Sequence, residues 1–467
     1  MPEIIVDKLN MGGLADSKFA GVENSVAEMV GLDIHSKPGV VRVHQKMTKD
    51  TNFPTTEFIK VAVNISTGLS VWFSSTTGKI WVRQTNGTVD LAHTTTPAAG
   101  GAGCLGALQY QDYLYWATEL RLHRIPIANV DASWAGETED FGTFDVGDDE
   151  FHPFLEQNKV LYIGDGNQIA QVEDGVFSSN ALDIKAPYRI TALGPLDTDL
   201  LIGTFVNDNV SQTRIFRWNT WSVDFTSSDP LPEIGINSFL SVDNFVLVSA
   251  GIYGNLYFYN GSQLEQYKRV PGDYSPTATC IIHPNARANF LGMPLFGVSN
   301  RVGNPCKEGV YSLGRYDRNY PMVLNLDFPI SEDVVSGIEI GVILPVGADL
   351  FVSWKNGAAF GVDQLDYTAK YASAYFITRV IKPDRDFIKS FRKFVAAYDS
   401  LPTGCSFTLE RKAGTDSDFV ALTSRKDAKH RAYVALNKVD ATSLQVKVEF
   451  GVSSNDAPEF EELKVIL

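Results

Sequence analysis

The densest group of potential metal ligands is the stretch FDVGDDEFH at residues 144–152. Its ligand-type side chains are Asp145, Asp148, Asp149, Glu150 and His152. Carboxylate oxygens are the ligands that hard cations such as Ca²⁺ prefer. The stretch lacks the spaced D-x-D-x-D-G pattern of a calcium loop. We therefore expect an exposed acidic loop here and no metal centre.

A glycoside hydrolase needs two carboxylates that flank the sugar bond, one of them protonated. Asp112, Asp199 and Asp349 could meet at a central channel, but each lies just before a predicted strand, where turn residues are expected. The seven histidines never pair within five residues. Walker loops, G-x-S-x-G elbows and H-E-x-x-H helices are also missing. The sequence predicts no enzymatic activity, no catalytic residue and no cofactor.

Tryptophan side chains could bind carbohydrate, because sugar rings stack on aromatic faces. The candidates are Trp81, Trp134, Trp218, Trp221 and Trp354. Tryptophans at the edges of repeat units more often fill the contact between neighbouring units. Carbohydrate binding therefore remains an alternative function, with the chain acting as a lectin or adhesin.

The elements that position these residues are short strands in a repeat. Seven stretches share an alternating apolar strand, a turn of small or Asx residues, and usually a second strand, as in LSVWFSSTTGKIW. The second apolar residues of the seven strands are Trp72, Tyr115, Tyr162, Ile202, Val248, Tyr311 and Val352. Their spacings are 43, 47, 40, 46, 63 and 41 residues. This period is typical of β-propeller blades, and the 63-residue step predicts an insertion.

Three units follow from the pattern, in an all-β chain. Residues 51–377 are expected to form a β-propeller of about seven blades, although a tandem of β-sandwiches is the alternative. Residues 378–467 are predicted to form a small antiparallel β-sandwich, because apolar and polar residues alternate in stretches such as ATSLQVKVEF. Residues 1–50 show little alternation and are expected to be an arm that becomes ordered against a partner.

The charge and the cysteines limit the partners and the compartment. A formal net charge of −15 argues against a surface devoted to nucleic-acid phosphates. The four cysteines are scattered, without a C-x-x-C pair, which indicates free thiols in a reducing compartment. A signal peptide and an apolar run of 18 residues are both missing, so we expect synthesis in the cytoplasm and no membrane insertion.

The acidic chain carries one basic region near its C-terminus. Residues 378–447 contain 14 basic and 8 acidic side chains. We expect a docking face for acidic neighbours, including copies of the same chain. Its candidate residues are Arg379, Lys382, Arg385, Lys389, Arg392 and Lys393.

The N-terminal run GLADSKFAGVENSVAEMVGLDIHSKPGVVRVHQKMTKD, residues 13–50, resembles the opening of proteins encoded in the structural modules of tailed phages. The pattern continues with the blade-like GKIW and ends with APEFEEL. In layout, an arm, a propeller and a small β-domain, the chain is similar to the tail hub or nozzle proteins of short-tailed phages. Those proteins form a ring below the adaptor and help to build the DNA exit channel.

This resemblance implies a virion tail protein, made in the host cytoplasm, that catalyses no reaction. Its partners would be other copies in a homo-oligomeric ring and neighbouring tail proteins such as the adaptor or hub. Neither sequence-specific nucleic-acid binding nor membrane insertion is expected. The alternative is a propeller lectin or adhesin that contacts host glycans on the same particle.

Overall fold

The computed structural model describes residues 3–54, 56–95, 103–131, 133–147, 150–206, 212–275, 277–300, 308–332, 337–382, 388–414, 416–422 and 431–467. Its regular structure is almost entirely β. The described residues contain one short α-helix, Leu9–Gly12, and one 3-10 helix, Ile127–Asn129. Within the same residues, no helix has the length and hydropathy of a membrane span. The all-β class is confirmed.

The N-terminal region supplies five strands, and three of them join sheets built mainly from later parts of the chain. They are β1 (Glu3–Asp7), β2 (Val26–Val30), β3 (Leu32–Asp33), β4 (Arg42–Val43) and β5 (Gln45–Lys49).

Five antiparallel sheets of four strands follow, each hydrogen-bonded in chain order. Blade 1 contains β6 (Ile59–Asn64), β7 (Ser70–Ser74), β8 (Lys79–Arg83) and β9 (Val89–Thr94). Blade 2 contains β10 (Gly106–Tyr110), β11 (Tyr113–Ala117), β12 (Arg121–Pro126) and β13 (Thr138–Thr143). Blade 3 contains β14 (Phe154–Gln157), β15 (Val160–Asp165), β16 (Gln168–Glu173) and β17 (Val176–Asp183). Blade 4 contains β18 (Tyr188–Leu196), β19 (Asp199–Val206), β20 (Arg214–Trp218) and β21 (Ser227–Pro230). Blade 5 contains β22 (Ile236–Val242), β23 (Phe245–Ala250), β24 (Asn255–Tyr259) and β25 (Leu264–Arg269).

The last two blades extend beyond a simple meander. Blade 6 contains β26 (Arg287–Phe290), β27 (Met293–Val298), β28 (Gly309–Gly314) and β29 (Val323–Pro329). Blade 7 contains β30 (Ile338–Val346), β31 (Asp349–Asn356) and β32 (Ala359–Lys370). Its fourth strand is β5, which pairs antiparallel with β32 in the register Met47 to Leu365. The start of the chain therefore completes the last blade.

The first strands of the seven sheets contact one another in ring order, and β30 contacts β6 to close the ring. This is the arrangement of a β-propeller. The expected propeller fold is confirmed, and the described sheets fit the expected number of about seven blades.

Small residues permit close contact between neighbouring blades. Ser353 on β31 donates its hydroxyl to the Ile59 carbonyl of blade 1 at 2.6 Å. At Gly203 on β19, an added Cβ would lie 2.7 Å from the Cγ2 of Ile236 in blade 5. Both residues directly follow three apolar residues of their strand, in LFVS and LLIG, and they mark the contact between blades.

The remaining strands form the C-terminal β-sandwich. They are β33 (Tyr375–Thr378), β34 (Lys389–Tyr398), β35 (Ser406–Ala413), β36 (Val420–Ala421), β37 (Arg431–Ala441), β38 (Leu444–Gly451) and β39 (Phe460–Ile466). One layer has the order β1-β39-β34-β37, and the other contains β2, β33, β38, β35 and β36. The two layers meet through Phe460, whose ring centroid lies 5.5 Å from that of Phe376 and 6.1 Å from that of Phe450. The C-terminal region thus forms a β-sandwich, to which the N-terminal region adds β1 in one layer and β2 in the other.

Blade 6 and one sandwich layer are a single sheet of nine strands, in the order β26-β27-β28-β29-β2-β33-β38-β35-β36. Strand β2 makes the connection: it pairs parallel with β29 at Leu326 and antiparallel with β33. All five residues of β2 are buried. Propeller and sandwich therefore share hydrogen bonds as well as a hydrophobic core.

The first fifty residues occupy a different place from the separate arm that the sequence predicted. Strand β1 extends the outer sandwich layer, β2 joins the two units, and β5 completes blade 7. The physical reason is local hydrophobicity, because the segment VAEMV, residues 26–30, is buried along its whole length. The partner that orders these residues is the chain itself.

Candidate functional site

A cavity of about 490 Å³ lies at one end of the propeller axis. Six of the blades line it with their first strand or with the segment that leads into that strand. Its polar and aromatic lining residues include Lys60, Glu150, Phe151, Arg189, Phe205, Asn237, His283 and Asn285. A concave site that combines aromatic rings with convergent polar groups is the usual geometry of a ligand site.

The lining carries both signs of charge. Arg189 forms a salt bridge of 2.7 Å with Glu150, and the Glu150 side chain is 72% exposed at the cavity mouth. Burial lowers the pKa of Lys60, while the charge of nearby Glu339 acts in the opposite direction. The two cations and the carboxylate can bind a polar or anionic ligand.

A charged cluster supports the cavity wall at His283. Its Nε2 lies 3.7 Å from Glu339, and Lys355 approaches the same carboxylate at 3.4 Å. The contact with His283 and, after it, the charge of Lys355 hold the pKa of Glu339 at about 2 against the opposing effect of burial. The Phe58 ring packs edge-on to His283, with ring centroids 6.2 Å apart. This cluster fixes the imidazole and keeps Glu339 ionised.

Besides His283, the described lining contains one thiol and one carboxylate with a bearing on covalent or acid–base chemistry. Burial raises the pKa of the Cys104 thiol, which donates to the Gly106 carbonyl at 3.4 Å, so the thiol is protonated and a weak nucleophile. Glu150 is the single carboxylate among the described lining residues. A glycoside hydrolase would need a second carboxylate about 5–9 Å away.

The three aspartates considered for glycosidase chemistry lie elsewhere. Asp112 lies in the turn between β10 and β11 of blade 2, and Asp199 and Asp349 are the first residues of β19 and β31 in blades 4 and 7. None of the three belongs to the described cavity lining. Asp199 forms an ion pair with Arg217 of its own blade, which is a structural role.

The acidic stretch 144–152 is tied into blades 3 and 4. Asp145 accepts a hydrogen bond from Ser179 at 2.9 Å, and Glu150 pairs with Arg189. Both ring nitrogens of the buried His152 face backbone carbonyls, Gly164 at 2.7 Å and Glu119 at 3.1 Å. Asp148 and Asp149 lie outside the described residues. The described members of the stretch therefore hold protein partners.

The tryptophans considered for sugar stacking fall into two groups. Trp81, Trp134, Trp218 and Trp354 are buried, with exposed fractions between 1% and 6%. Trp221 is 84% exposed in the β20–β21 hairpin, next to Val223 at 98%. Asn219 fixes this hairpin, since its side-chain oxygen accepts the Trp221 amide at 3.0 Å. One candidate for stacking thus remains on the surface.

The docking candidates are divided between two places. Arg379 donates to the carbonyls of Gly21 at 3.0 Å and Ser25 at 3.2 Å, and the Lys382 ammonium lies 5.1 Å from the Phe19 ring centroid. These two side chains therefore hold the N-terminal segment. Arg385 lies outside the described residues.

The other three docking candidates belong to β34 of the sandwich. Lys389 and Lys393 are half-buried, and Arg392 is exposed. The Lys393 ammonium lies 5.8 Å from the ring centroid of the half-exposed Tyr433 on β37. The docking role of the six residues stays a prediction.

Sequence reasoning did not identify the cavity residues Lys60, Arg189, His283 and Asn285. They are far apart in the chain and become neighbours through ring closure. A signal was available, because each precedes or opens the first strand of a blade, and all blades present that end of the first strand to the same side.

Comparisons with known proteins bear on the fold alone. No protein-family model matches the sequence, and no curated protein matches it. Among solved structures, the extracellular domain of the two component system protein BT4673 from B. thetaiotaomicron is 15% identical, with a TM-score of 0.49, and the alignment covers 84% of this chain and 47% of that one. This chain thus spans about half the length of that domain.

Two further structures align with about two thirds of the chain. Virginiamycin B lyase from Staphylococcus aureus is 15% identical with a TM-score of 0.48, and 69% of this chain and 98% of that chain align. The Dos1 propeller is 11% identical with a TM-score of 0.45, and 69% of this chain and 95% of that chain align. The similar structures include a lyase and proteins of other kinds, so they support neither the presence nor the absence of an enzymatic activity.

Proposed function

We propose that the chain is a non-catalytic structural component of a bacteriophage tail, of the hub or nozzle type that contributes to the tail or to the DNA exit conduit. The resemblance of residues 13–50 to proteins of phage structural modules motivates the proposal. One structural observation carries it further, namely the nine-stranded sheet that joins blade 6 to the sandwich. Domains in one chain usually move relative to each other unless their interface is large and apolar. A shared sheet with a common core suits a rigid structural subunit.

The partners in this proposal are copies of the same chain in a ring and neighbouring tail proteins. An acidic body with a basic region near the C-terminus can dock head to tail, and opposite charges orient such contacts. The protein would be made in the host cytoplasm and act in the virion. An acidic surface also suits a conduit, because it would not hold passing DNA by its phosphates.

Light scattering of the purified chain tests the proposal, first alone and then with the adaptor and hub proteins of the same genome. A ring, or a monomer that joins a ring when the adaptor is added, agrees with a tail component. A monomer that ignores every virion protein contradicts it.

Charge reversal on the docking face tests the predicted contact. We expect the triple variant Lys389→Glu, Arg392→Glu, Lys393→Glu on β34 to weaken ring assembly at least tenfold, because facing acidic groups would repel it. These side chains are exposed or half-exposed, so the variant should melt within a few degrees of the wild type. Arg379 and Lys382 are left intact because they hold the N-terminal segment.

A matched control separates local contact from net charge. The variant Lys159→Glu, Lys185→Glu, Arg318→Glu changes the net charge equally at exposed positions on blades 3, 4 and 6. It should assemble normally. Equal assembly of the two triple variants would remove the docking face from the proposal.

The second candidate is a lectin or adhesin on the same particle, and the axial cavity favours it. Phe151 and Phe205 supply aromatic surface there, and Asn237 and Asn285 supply amide groups. We expect Phe205→Ala to weaken glycan binding at least tenfold, since aromatic side chains dominate such sites. The measurement is binding of the labelled chain to a glycan array.

The exposed Trp221 provides the comparison variant for the array. Loss of binding in Phe205→Ala with normal binding in Trp221→Ala places the glycan in the cavity. The reverse result places it on the β20–β21 hairpin. A wild-type chain that binds no glycan rejects this candidate while leaving the tail proposal intact.

A further inference from the structure

Three side chains with metal-ligating atoms meet at the outer edge of the propeller, between blades 1 and 2. His93 lies on β9, while Glu137 and Glu139 lie at the start of β13. The imidazole Nε2 is 2.8 Å from Glu137 Oε2 and 3.9 Å from Glu139 Oε1. One ligand atom from each residue falls within 4.8 Å of the other two. The packing of two consecutive blades brings this group together.

The Glu137 side chain is buried, and one of its two carboxylate oxygens lacks a hydrogen bond. The Glu137 side chain is 8% exposed, and its Oε1 atom has no hydrogen-bond partner among the residues that the structure describes. A buried carboxylate oxygen without a partner is costly unless a donor or a cation meets it. The second carboxylate, Glu139, adds a like charge nearby. A bound cation would relieve both penalties.

Trp134 holds two of the ligands in place. Its ring stacks on His93 with centroids 5.9 Å apart and an interplanar angle of 12°. Its indole Nε1 donates to Glu137 Oε2 at 3.2 Å. In known metal sites, contacts of this kind orient the side chains that bind the metal directly. Their loss typically weakens metal binding 10–100-fold. The buried Trp134 thus supports a site as well as the contact between blades.

We propose that His93, Glu137 and Glu139 form a binding site for a divalent metal of the Zn²⁺ class. One imidazole nitrogen and two carboxylate oxygens suit Zn²⁺, which binds such ligands at about 2.0–2.2 Å. Ca²⁺ and Mg²⁺ prefer all-oxygen sites, so the imidazole selects against them. Glu139 is the outer ligand, with 44% of its side chain exposed. The metal would connect the outer strands of two blades, and this role is independent of the proposed tail function.

Titration of the purified full chain with Co²⁺ and then Zn²⁺ tests the site. The chain is first treated with a chelator. We then expect one equivalent of Co²⁺ to bind and to give the visible absorption bands that are typical of Co²⁺ at low coordination number. One equivalent of Zn²⁺ should displace the Co²⁺. The melting temperature should rise on addition of Zn²⁺, because a ligand that binds the folded state stabilises it. Absence of saturable binding near one equivalent overturns the proposal.

Variants locate the metal. We expect Glu139→Gln to weaken Zn²⁺ binding at least tenfold, and His93→Gln to abolish the Co²⁺ bands, while Trp134→Phe weakens binding roughly tenfold. Glu139→Gln is the safest for folding because Glu139 is the most exposed of the three ligands. The control Glu173→Gln removes an exposed carboxylate of blade 3 and should bind as the wild type does. Equal affinity in the Glu139 and Glu173 variants would show adventitious binding elsewhere, such as at a thiol, and would overturn the assignment.

Discussion

Deletion of residues 1–50 is expected to prevent folding of the whole chain. The deletion removes β5, the fourth strand of blade 7, and leaves the edge of β32 without its partner. Met47 alone is 3% exposed within the core of blades 6 and 7, and truncation of such a side chain typically costs about 2–5 kcal/mol. An unpaired sheet edge also promotes aggregation.

The same deletion removes the connection between the propeller and the sandwich. Val26, Met29 and Val30 of β2 are fully buried, and β2 is the strand between β29 and β33 in the nine-stranded sheet. Added together, these losses of folding free energy exceed the free energy of unfolding of an ordinary protein, which is roughly 5–15 kcal/mol. We therefore expect aggregation or a molten chain, without a cooperative thermal transition in circular dichroism.

A shorter deletion is the control. Removal of residues 1–7 takes away β1 alone, which is an edge strand of the outer sandwich layer. This variant should fold with a moderately lower melting temperature. A variant lacking residues 1–50 that melts cooperatively within a few degrees of the wild type would show that the N-terminal region is a separable arm after all.

The repeat was predictable because its signal is local. Alternating apolar residues followed by Gly, Ser, Asn or Asp mark a strand and its hairpin in each blade. Six of the seven anchor residues lie on the second strand of a blade, from Trp72 on β7 to Val352 on β31. Periodicity at one strand per blade predicted the propeller, with a tandem of β-sandwiches as the alternative.

The exception explains the 63-residue step. Tyr311 lies on β28, the third strand of blade 6, and the second strand is β27. Strand β27 contains Pro294, and a proline within a short apolar run lowers its resemblance to a strand. The sequence pattern therefore selected Tyr311 on the third strand of blade 6 in place of a residue on the second strand. The long segment between β25 and β26 increased the 63-residue spacing further.

The role of the N-terminal region and the two candidate ligand sites depend on contacts that sequence order does not encode. Strand β5 pairs with a segment more than 300 residues later, as at Met47 and Leu365. His93 and Glu137 are likewise brought together by the ring, across two blades. The buried tryptophans were predictable as a class, because edge tryptophans usually fill contacts between repeats. Sequence alone could not show that Trp221 is the exposed one.

Asp363→Ala is expected to destabilise the folded state by about 3 kcal/mol or more. Asp363 on β32 is fully buried, and it accepts the Ser331 amide at 2.6 Å and the Ser331 hydroxyl at 2.7 Å. The indole of Trp354 on β31 donates to the same carboxylate at 2.8 Å. The substitution leaves three donors without an acceptor in a buried place, and each costs about 1–3 kcal/mol.

The carboxylate also connects blade 7 to the strand that closes the ring. Lys49 of β5 places its ammonium 4.8 Å from the Trp354 ring centroid and donates to the Phe360 carbonyl at 2.8 Å. Burial raises the pKa of Asp363, while the bonds from Ser331 and Trp354 and the charge of Lys49 act in the opposite direction. The network therefore joins β31, β32 and β5, and its loss should loosen the same closure that the N-terminal deletion removes.

Urea unfolding followed by tryptophan fluorescence measures the effect. Asp366→Ala is the matched control, because Asp366 lies on the same strand and accepts bonds from the exposed Thr368, so its loss should cost about 1 kcal/mol or less. In a double-mutant cycle with Trp354→Phe, which keeps the ring and removes the donor, we expect a coupling energy of about 0.5–3 kcal/mol. Additive effects of the two changes, or equal costs at Asp363 and Asp366, would mean that the closure rests on backbone pairing and apolar packing alone.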